Sequence, residues 1–282
     1  MNISPQDCYC KPGHLTDHGK FAFLKQYLPD DIPSLCKLIH NIAIHIFWAE
    51  RMGCPLDEVR QSDVRLRSFA KKMERLFELD DATINIERKK EKKLVVNCRD
   101  ISLIMTTFLR MKEIPARCRC GFATYFIPQK YEDHWICEYW DVEAQQWKMV
   151  DAQIDEYQKK VLKINFDVNN VPQGKFIPAG RAWQLIRQNR ADPQKFGIFK
   201  YKGEMFIAGN MQRDLLALNS MELLPWDLWG YLDKRYIQLT QHDLKLLDEM
   251  AIITQLGDSA FPMVRNMFNN NPALHPKQTW LI

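Results

Sequence analysis

The stretch between residues 95 and 155 constrains the fold of this chain more than any other segment. Apolar residues recur at helical spacing over 101–108, and Pro115 follows the last of them, so the pattern predicts a helix of about four turns. Asn97 is a suitable N-cap for this helix, and Asp100 lies in its first turn, where the helix dipole favours an acidic residue. Segments with strand character fill the rest of the stretch.

Cys98 falls on the first turn of the predicted helix. Backbone N–H groups at this end of a helix have no partner within the helix, and the dipole is positive there. Both effects favour a thiolate, and the same N–H groups can stabilise an oxyanion on an attacked acyl group. The position therefore predicts a nucleophilic cysteine.

Three strands are predicted after the helix. The first covers 116–126, and Gly121 inside it indicates a bulge or a close approach of two backbones. The second begins at His134 and alternates in polarity, which places Trp135 on the opposite side of the strand. The third ends near Asp151. We expect these strands to form an antiparallel meander packed on the Cys98 helix.

This arrangement can bring Cys98, His134 and Asp151 together. His134 lies 36 residues after Cys98, and Asp151 lies 17 residues after His134. A cysteine nucleophile, a histidine base and an aspartate that orients the imidazole are the parts of a catalytic triad.

Four motifs here resemble the core of the transglutaminase-like superfamily. They are NCRD at the start of the helix, IPARCRCGF leading into a strand, DHW opening the next strand, and a tryptophan before VDAQ. The runs GFATYF, EDHWICEYWD and VDAQIDE look most like bacterial single-domain transglutaminase-like proteins. The resemblance implies an α+β, papain-like fold. It also implies that Cys98 is the nucleophile, His134 the general base and acid, and Asp151 the residue that orients His134.

Two departures from the family narrow the activity that the resemblance implies. Asn97 stands near a position where many members have glycine, which the N-cap role accommodates. The protein-crosslinking animal enzymes place a tryptophan upstream of the cysteine, but this chain has none between Trp48 and Trp135. Nothing in the sequence indicates their calcium sites either. Crosslinking in the animal manner is therefore not expected.

The predicted function is cysteine-dependent acyl transfer on an amide or thioester, through an acyl-enzyme thioester that an amine or water resolves. The substrate would be a small molecule, a peptide or an acyl group on a carrier protein. We expect Asn97, Tyr125 and Trp135 to contribute to substrate binding at an aromatic-lined cleft. A cysteine peptidase or amidase is one alternative, and a non-catalytic binding module that retains the fold is another.

Composition limits the partners and the compartment. The formal net charge is only +4 over 282 residues, which gives no reason to expect a nucleic-acid or membrane partner. No secretory signal is visible, so we expect a cytoplasmic protein whose eight cysteines are reduced. No cofactor is predicted. A zinc site is a minor alternative for the N-terminal cluster, which consists of Cys8, Cys10, His14 and His18.

We expect a single domain over 1–282, with the transglutaminase-like core at about 34–160 and a C-terminal elaboration at 161–282. Flanking helices are predicted from Ser34 to Gly53, with His45 and Trp48 as core residues, and over 55–79.

In the C-terminal elaboration, the pattern indicates a hairpin that turns at Lys202 and Gly203. Thr240 and Asp243 indicate a capping box, and the helix that follows is expected to end at Gly257. The tail from Pro262 is expected to be irregular.

Overall fold

The structure, a computed structural model, describes residues 4–233 and 238–281, and its fold is of the α+β class. Its α-helices are α1 (Pro5–Tyr9), α2 (Ile32–Ile42), α3 (Glu58–Gln61), α4 (Phe69–Leu79), α5 (Cys98–Met111), α6 (Glu156–Leu162), α7 (Ala179–Arg187), α8 (Glu204–Ala217), α9 (Gln241–Ile253) and α10 (Phe261–Asn269). Its strands are β1 (Ala43–His45), β2 (Leu94–Val96), β3 (Ala116–Ala123), β4 (Tyr131–Asp141), β5 (Gln146–Val150), β6 (Phe176–Pro178), β7 (Phe196–Ile198) and β8 (Tyr201–Lys202).

The main sheet is mixed and has six strands centred on the antiparallel pair β3 and β4. Strand β6 covers the far edge of β3, and β8 pairs with β7. Strands β5 and β7 share the other edge of β4, since β5 pairs antiparallel with 137–141 and β7 pairs parallel with 131–132. The predicted meander of β3, β4 and β5 is confirmed, and residues 133–136 of β4 have no strand partner on that shared edge.

Helix α5 is the predicted Cys98 helix, and it packs against β3 and β4. The Asn97 side chain accepts a hydrogen bond from the Asp100 N–H at 3.0 Å, and the Asp100 carboxylate accepts one from the Asn97 N–H at 3.3 Å. This reciprocal capping box fixes the residue at which the helix begins. The prediction of both the helix and its cap is confirmed.

The core of the molecule is built from both ends of the chain. Around Phe108 of α5, one buried apolar cluster includes Leu15 near the N-terminus together with Leu216 and Trp229 from the C-terminal part. A second cluster joins Phe122 of β3 to α7, α8 and α9. The segment after residue 160 therefore packs directly on the predicted core.

The expected helix from Ser34 to Gly53 is wrong in its second half. Helix α2 is capped by Asp31 and ends at Ile42, and β1 then pairs in parallel with β2. The apolar spacing of this segment fits a helix, but extended backbone at β1 satisfies the hydrogen bonds of β2, which comes much later in the chain. This tertiary pairing overrides the local preference.

The helix expected over 55–79 is interrupted. It divides into α3, a 3₁₀ turn at Ser62–Arg65 and α4, because the Ser68 side chain accepts a hydrogen bond from the Lys71 N–H and caps a new helix. The interruption lets Lys72 point inward, where its Nζ lies 2.9 Å from an Asp100 carboxylate oxygen. This buried ion pair ties α4 to the first turn of α5.

Three expectations for the C-terminal part need correction. The hairpin of β7 and β8 turns at Phe199 and Lys200, three residues earlier than predicted, and α8 begins directly after Gly203. The tail contains α10 rather than irregular chain. Helix α9 carries the predicted capping box of Thr240 and Asp243 but ends at Ile253, before Gly257.

Gly121 marks a close approach of two backbones, as predicted. A Cβ atom there would lie 2.3 Å from the carbonyl oxygen of Ile177 and 2.9 Å from Pro178 Cα, so only glycine lets β6 pack this tightly on β3. Gly121 also pairs in register with His134. The backbones of β6 and β3 therefore lie close together beside His134.

The capping box generates a testable prediction. Asn97→Ala should lower the free energy of unfolding by about 1 kcal/mol, because it removes the N-cap acceptor. Asn97→Asp should restore most of that loss, because a carboxylate oxygen can accept the same bond. Urea unfolding followed by far-ultraviolet circular dichroism measures both. Equal losses in the two variants would show that the cap is not what stabilises the helix start.

Candidate active site

The structure brings the predicted histidine and aspartate into direct contact. His134 lies on β4, and Asp151 follows the last residue of β5. The distance between His134 Nε2 and Asp151 Oδ2 is 2.9 Å, and both side chains are only 1% exposed. An ionised carboxylate only accepts hydrogen bonds, so Nε2 carries the proton and Nδ1 is left as the basic nitrogen.

Cys98 reaches the same part of β4 from the end of α5. Its thiol accepts a hydrogen bond from the backbone N–H of Trp135, the residue that follows His134. Strands β5 and β7 leave a gap along β4 at 133–136, and this gap admits the first turn of α5 to the strand. Cys98, His134 and Asp151 therefore lie at one break in the sheet.

Asp151 is held as an ionised carboxylate. Burial alone would raise its pKa, but the charge of His134 and the hydrogen bonds from His134, Tyr125 and the Gln153 N–H bring that pKa below its ordinary value. The Tyr125 hydroxyl donates to Oδ2 at 2.5 Å, and the Gln153 N–H donates to Oδ1 at 3.1 Å. A carboxylate with these partners can orient the imidazole and stabilise its protonated form.

The thiol of Cys98 differs from the expected helix-end thiolate. Burial raises its pKa well above the ordinary value, the buried carboxylate of Asp133 raises it further, and the Trp135 N–H only partly offsets both. Cys98 is half-buried, and desolvation of its thiol is the largest influence on this pKa, so it outweighs the helix dipole. Cys98 is thus neutral at rest, and it needs a base to remove its proton during attack.

The three residues that were predicted to bind substrate, Asn97, Tyr125 and Trp135, are engaged in contacts within the protein. The Tyr125 hydroxyl is engaged by Asp151. Trp135 is buried in a small cluster with Cys118 and Cys120, against which Cys98 packs, so its ring does not line an open cleft. Asn97 is buried as the helix cap. The Asn97 Nδ2 and Trp135 Nε1 atoms have no hydrogen-bond partner among the described residues.

His45, which was expected in the core of a helix, interacts electrostatically with His134 and Asp151. It lies on β1 opposite Val96, two residues before Cys98. Burial, and next the charge of His134, lower the pKa of His45 to about 3, with Asp151 opposing them. Its Nδ1 accepts a hydrogen bond from the Phe47 N–H at 3.2 Å, so the neutral ring carries its proton on Nε2. The only sequence signal for this role is the β-branched neighbours, Ile44 and Ile46.

Other cysteines are held by contacts of their own, although Cys98 packs against Cys118 and Cys120. Cys118 and Cys137 are buried and lie within hydrogen-bonding reach of the Thr106 hydroxyl, as expected for core thiols. In the N-terminal cluster, the Cys8 sulfur accepts a hydrogen bond from Arg265. Over 4–233 and 238–281, no group of three or more His, Cys, Asp or Glu side chains is arranged to hold a metal ion.

Comparison of the chain with models of protein families, with curated proteins and with solved structures gave no match. Within the part of the chain that the structure describes, no helix has the length and apolar character needed to span a bilayer.

The tyrosine on Asp151 generates a second prediction. Tyr125→Phe removes a hydrogen bond to a charged group, so the free energy of unfolding at pH 7 should fall by about 1.5 to 3 kcal/mol. A carboxyl group with a lowered pKa contributes stability above its unfolded pKa, and loses it as the pH falls through the folded value. The difference from the wild type should therefore persist at pH 5 and shrink only as the pH falls through the lowered pKa of Asp151.

Urea unfolding across this pH range measures the effect of Tyr125→Phe. The exposed Tyr201 provides the control, and Tyr201→Phe should leave stability unchanged. A loss for Tyr125→Phe that has already disappeared at pH 5, where a carboxyl group with a lowered pKa is ionised, would contradict a bond to ionised Asp151.

Proposed function

We propose that the chain is a cysteine-dependent acyl-transfer enzyme of the transglutaminase-like superfamily, with a papain-like core made of α5 and the sheet. The observation that carries this proposal is the buried hydrogen bond between His134 Nε2 and Asp151 Oδ2, next to a strand N–H that holds the Cys98 thiol. The order Cys, His, Asp and the positions at a helix start, on a strand and after a strand support the same assignment.

In the proposed reaction, His134 takes the proton of Cys98 as the sulfur attacks the carbonyl carbon of an amide or thioester. The C–S bond forms, and the carbonyl oxygen becomes an oxyanion that the first-turn N–H groups of α5 stabilise. The tetrahedral intermediate then expels an amine or a thiol, which receives the proton from His134. The product on the enzyme is a thioester at Cys98.

An amine or a water molecule resolves the thioester in the second half of the reaction. His134 removes a proton from this acceptor as it attacks, and returns the proton to the Cys98 sulfur as the C–S bond breaks. An amine acceptor gives a new amide, and water gives a carboxylic acid. The peptidase or amidase alternative uses the same residues and differs only in that water is the acceptor.

A neutral thiol is also what a non-catalytic binding module would retain. The raised pKa of Cys98 is the observation that favours this second candidate. The ionised Asp151 argues against the binding module. Both of its oxygens accept hydrogen bonds, and a buried carboxylate held in this way is needed only where the histidine takes up a proton.

Trapping the acyl-enzyme tests the proposal. The wild-type chain should gain the mass of one acyl group when mixed with p-nitrophenyl acetate or with acyl thioesters of N-acetylcysteamine, and peptide mapping should place that group on Cys98. Added hydroxylamine should release it as the hydroxamate. Cys98→Ala should show no adduct, and an equal adduct in that variant would refute the assignment of the nucleophile.

The base and its orienting group have separate expected effects. His134→Ala should slow acylation of Cys98 by roughly 10² to 10⁴, the range for loss of a general base. Asp151→Asn should also slow it by up to roughly 10⁴, because the amide can hold the wrong tautomer of His134. Asp141→Asn is a matched control at the other end of β4, on a carboxylate whose partners include Lys148 and the N–H groups of Ala144 and Glu143, and acylation should be unchanged. A large effect of Asp141→Asn would show that the assay responds to loss of the folded structure and not to loss of a catalytic group.

A further inference from the structure

A cavity of about 350 Å³ opens beside the paired His134 and Asp151. Its wall comes from the end of α2 with β1, from the connections that precede β2 and α6, and from α5. Two wall residues connect it to the triad, since the Gln153 N–H bonds to Asp151 and His45 interacts electrostatically with His134. Neither Cys98 nor His134 lines the cavity, which therefore adjoins the triad without enclosing it.

The side chain of Gln153 is an unpartnered polar group in this wall. It is only 6% exposed, and its Oε1 atom is buried with no hydrogen-bond partner among the described residues. Its Nε2 atom also makes no hydrogen bond within the described part of the chain. Unlike Oε1, however, Nε2 is not among the buried atoms that lack a partner, so it keeps some exposed surface. The nitrogen is thus the end of the amide that a ligand in the cavity can reach, and it is a donor.

His45 contributes a second neutral donor. Its ring is 8% exposed and stays neutral at physiological pH, since its pKa is lowered to about 3 by burial and by the charge of His134. Nδ1 is occupied by the Phe47 N–H, and Nε2–H has no acceptor among residues 4–233 and 238–281. His45 is one of the residues that line the cavity, so we infer that an acceptor on a ligand there would satisfy this N–H.

The charged groups in the wall are mostly cations. Arg51, Lys90 and Lys93 line the cavity, against the single carboxylate of Asp155. Each lysine is tethered by one hydrogen bond, from Lys90 Nζ to the Met52 oxygen at 2.5 Å and from Lys93 Nζ to the His40 oxygen at 2.7 Å.

A lysine ammonium group has three N–H donors, so each tethered lysine keeps donors for a ligand. One oxygen of Asp155 is already used by the Gln158 N–H at 2.7 Å, as the cap of α6. The cavity therefore offers donors and net positive charge.

We propose that this cavity binds the carboxylate of a small acyl substrate, and that the enzyme is selective for acyl compounds that carry a negative charge. The identification of the ligand as a substrate rests on the proposed acyl transfer, whereas its binding does not. Arg51 and Lys93 pair with the carboxylate, and Gln153 with His45 donates to its oxygens or to an adjacent carbonyl. A negatively charged ligand suits this wall because a neutral ligand would leave the cations of the wall without a counter-charge.

Binding is measured on the full-length Cys98→Ala variant, which cannot turn a substrate over. The two probes are N-acetyl-L-glutamate and the nearly isosteric, uncharged N-acetyl-L-glutaminamide, compared by isothermal titration calorimetry at low salt. We expect the glutamate to bind at least about ten-fold more tightly, and this preference to decrease at high salt as the charges are screened. Equal affinities for the two probes would overturn the proposal, and tighter binding of inorganic phosphate than of either probe would overturn the carboxylate assignment.

Variants identify the cavity as the place where the probe binds. Arg51 is exposed and its guanidinium packs on the Trp48 ring, so Arg51→Gln should fold normally and weaken binding of the glutamate by about five-fold or more. Lys89→Met removes a neighbouring lysine that does not line the cavity and should change nothing. Gln153→Met should weaken binding of both probes. Equal effects of Arg51→Gln and Lys89→Met would mean that general surface charge, not the cavity, attracts the anion.

The outcomes also separate this proposal from the proposed function. If Cys98→Ala binds the charged probe selectively but the wild-type chain forms no thioester, the anion site is supported and acyl transfer is rejected. A thioester on the wild-type chain with no preference for charged probes would keep acyl transfer and reject the anion site.

Discussion

The hydrogen bond between His134 and Asp151 depends on how deeply both groups are buried, and much of the surrounding structure serves to hold them there. A carboxylate in a buried position is costly unless hydrogen bonds compensate for the lost water. Here the imidazole, the Tyr125 hydroxyl and a backbone N–H supply three such bonds. The proton on Nε2 is thereby fixed, and Nδ1 is left as the basic nitrogen of the imidazole.

The sheet is held rigid around this pair by a buried network on β3, β4 and α8. Arg119 donates from Nη1 to Glu138 on the neighbouring strand, and from Nε and Nη2 to the two carboxylate oxygens of Asp214 on α8. Asp214 also accepts a hydrogen bond from the Cys120 N–H at 2.8 Å. Breaking a buried pair of this kind typically costs about 3 to 5 kcal/mol, since it leaves a charge without a partner. The network thus sets the position of β4, and with it the position of His134.

The sequence predicted the parts of the site whose signals are local. The cap at Asn97 and the helical spacing after it placed α5, and alternation placed β4 and β5, so Cys98, His134 and Asp151 followed from pattern alone. It did not predict β1, because the strand forms by pairing with β2 and its own spacing is helical.

Contacts between segments that are distant in the chain also explain the residues that were misplaced from the sequence. His45 was assigned to a helix because its strand partner is distant in the chain. The thiol of Cys98 was expected to be ionised, since a helix start is visible in the sequence whereas burial and the proximity of Asp133 are not. Tyr125 was expected to meet substrate, but it turns to Asp151, a contact that depends on the loop path between β3 and β4.

The central claim is that His134, oriented by Asp151, removes the proton of a neutral Cys98 thiol. The rate at which iodoacetamide alkylates Cys98 in the native chain at pH 7, followed by peptide mapping, tests it most directly. We predict alkylation of Cys98 in the wild type that falls by roughly a hundred-fold or more in His134→Ala, the least expected for loss of a general base. An unchanged rate in His134→Ala would contradict the account, because the thiol would then lose its proton without the histidine.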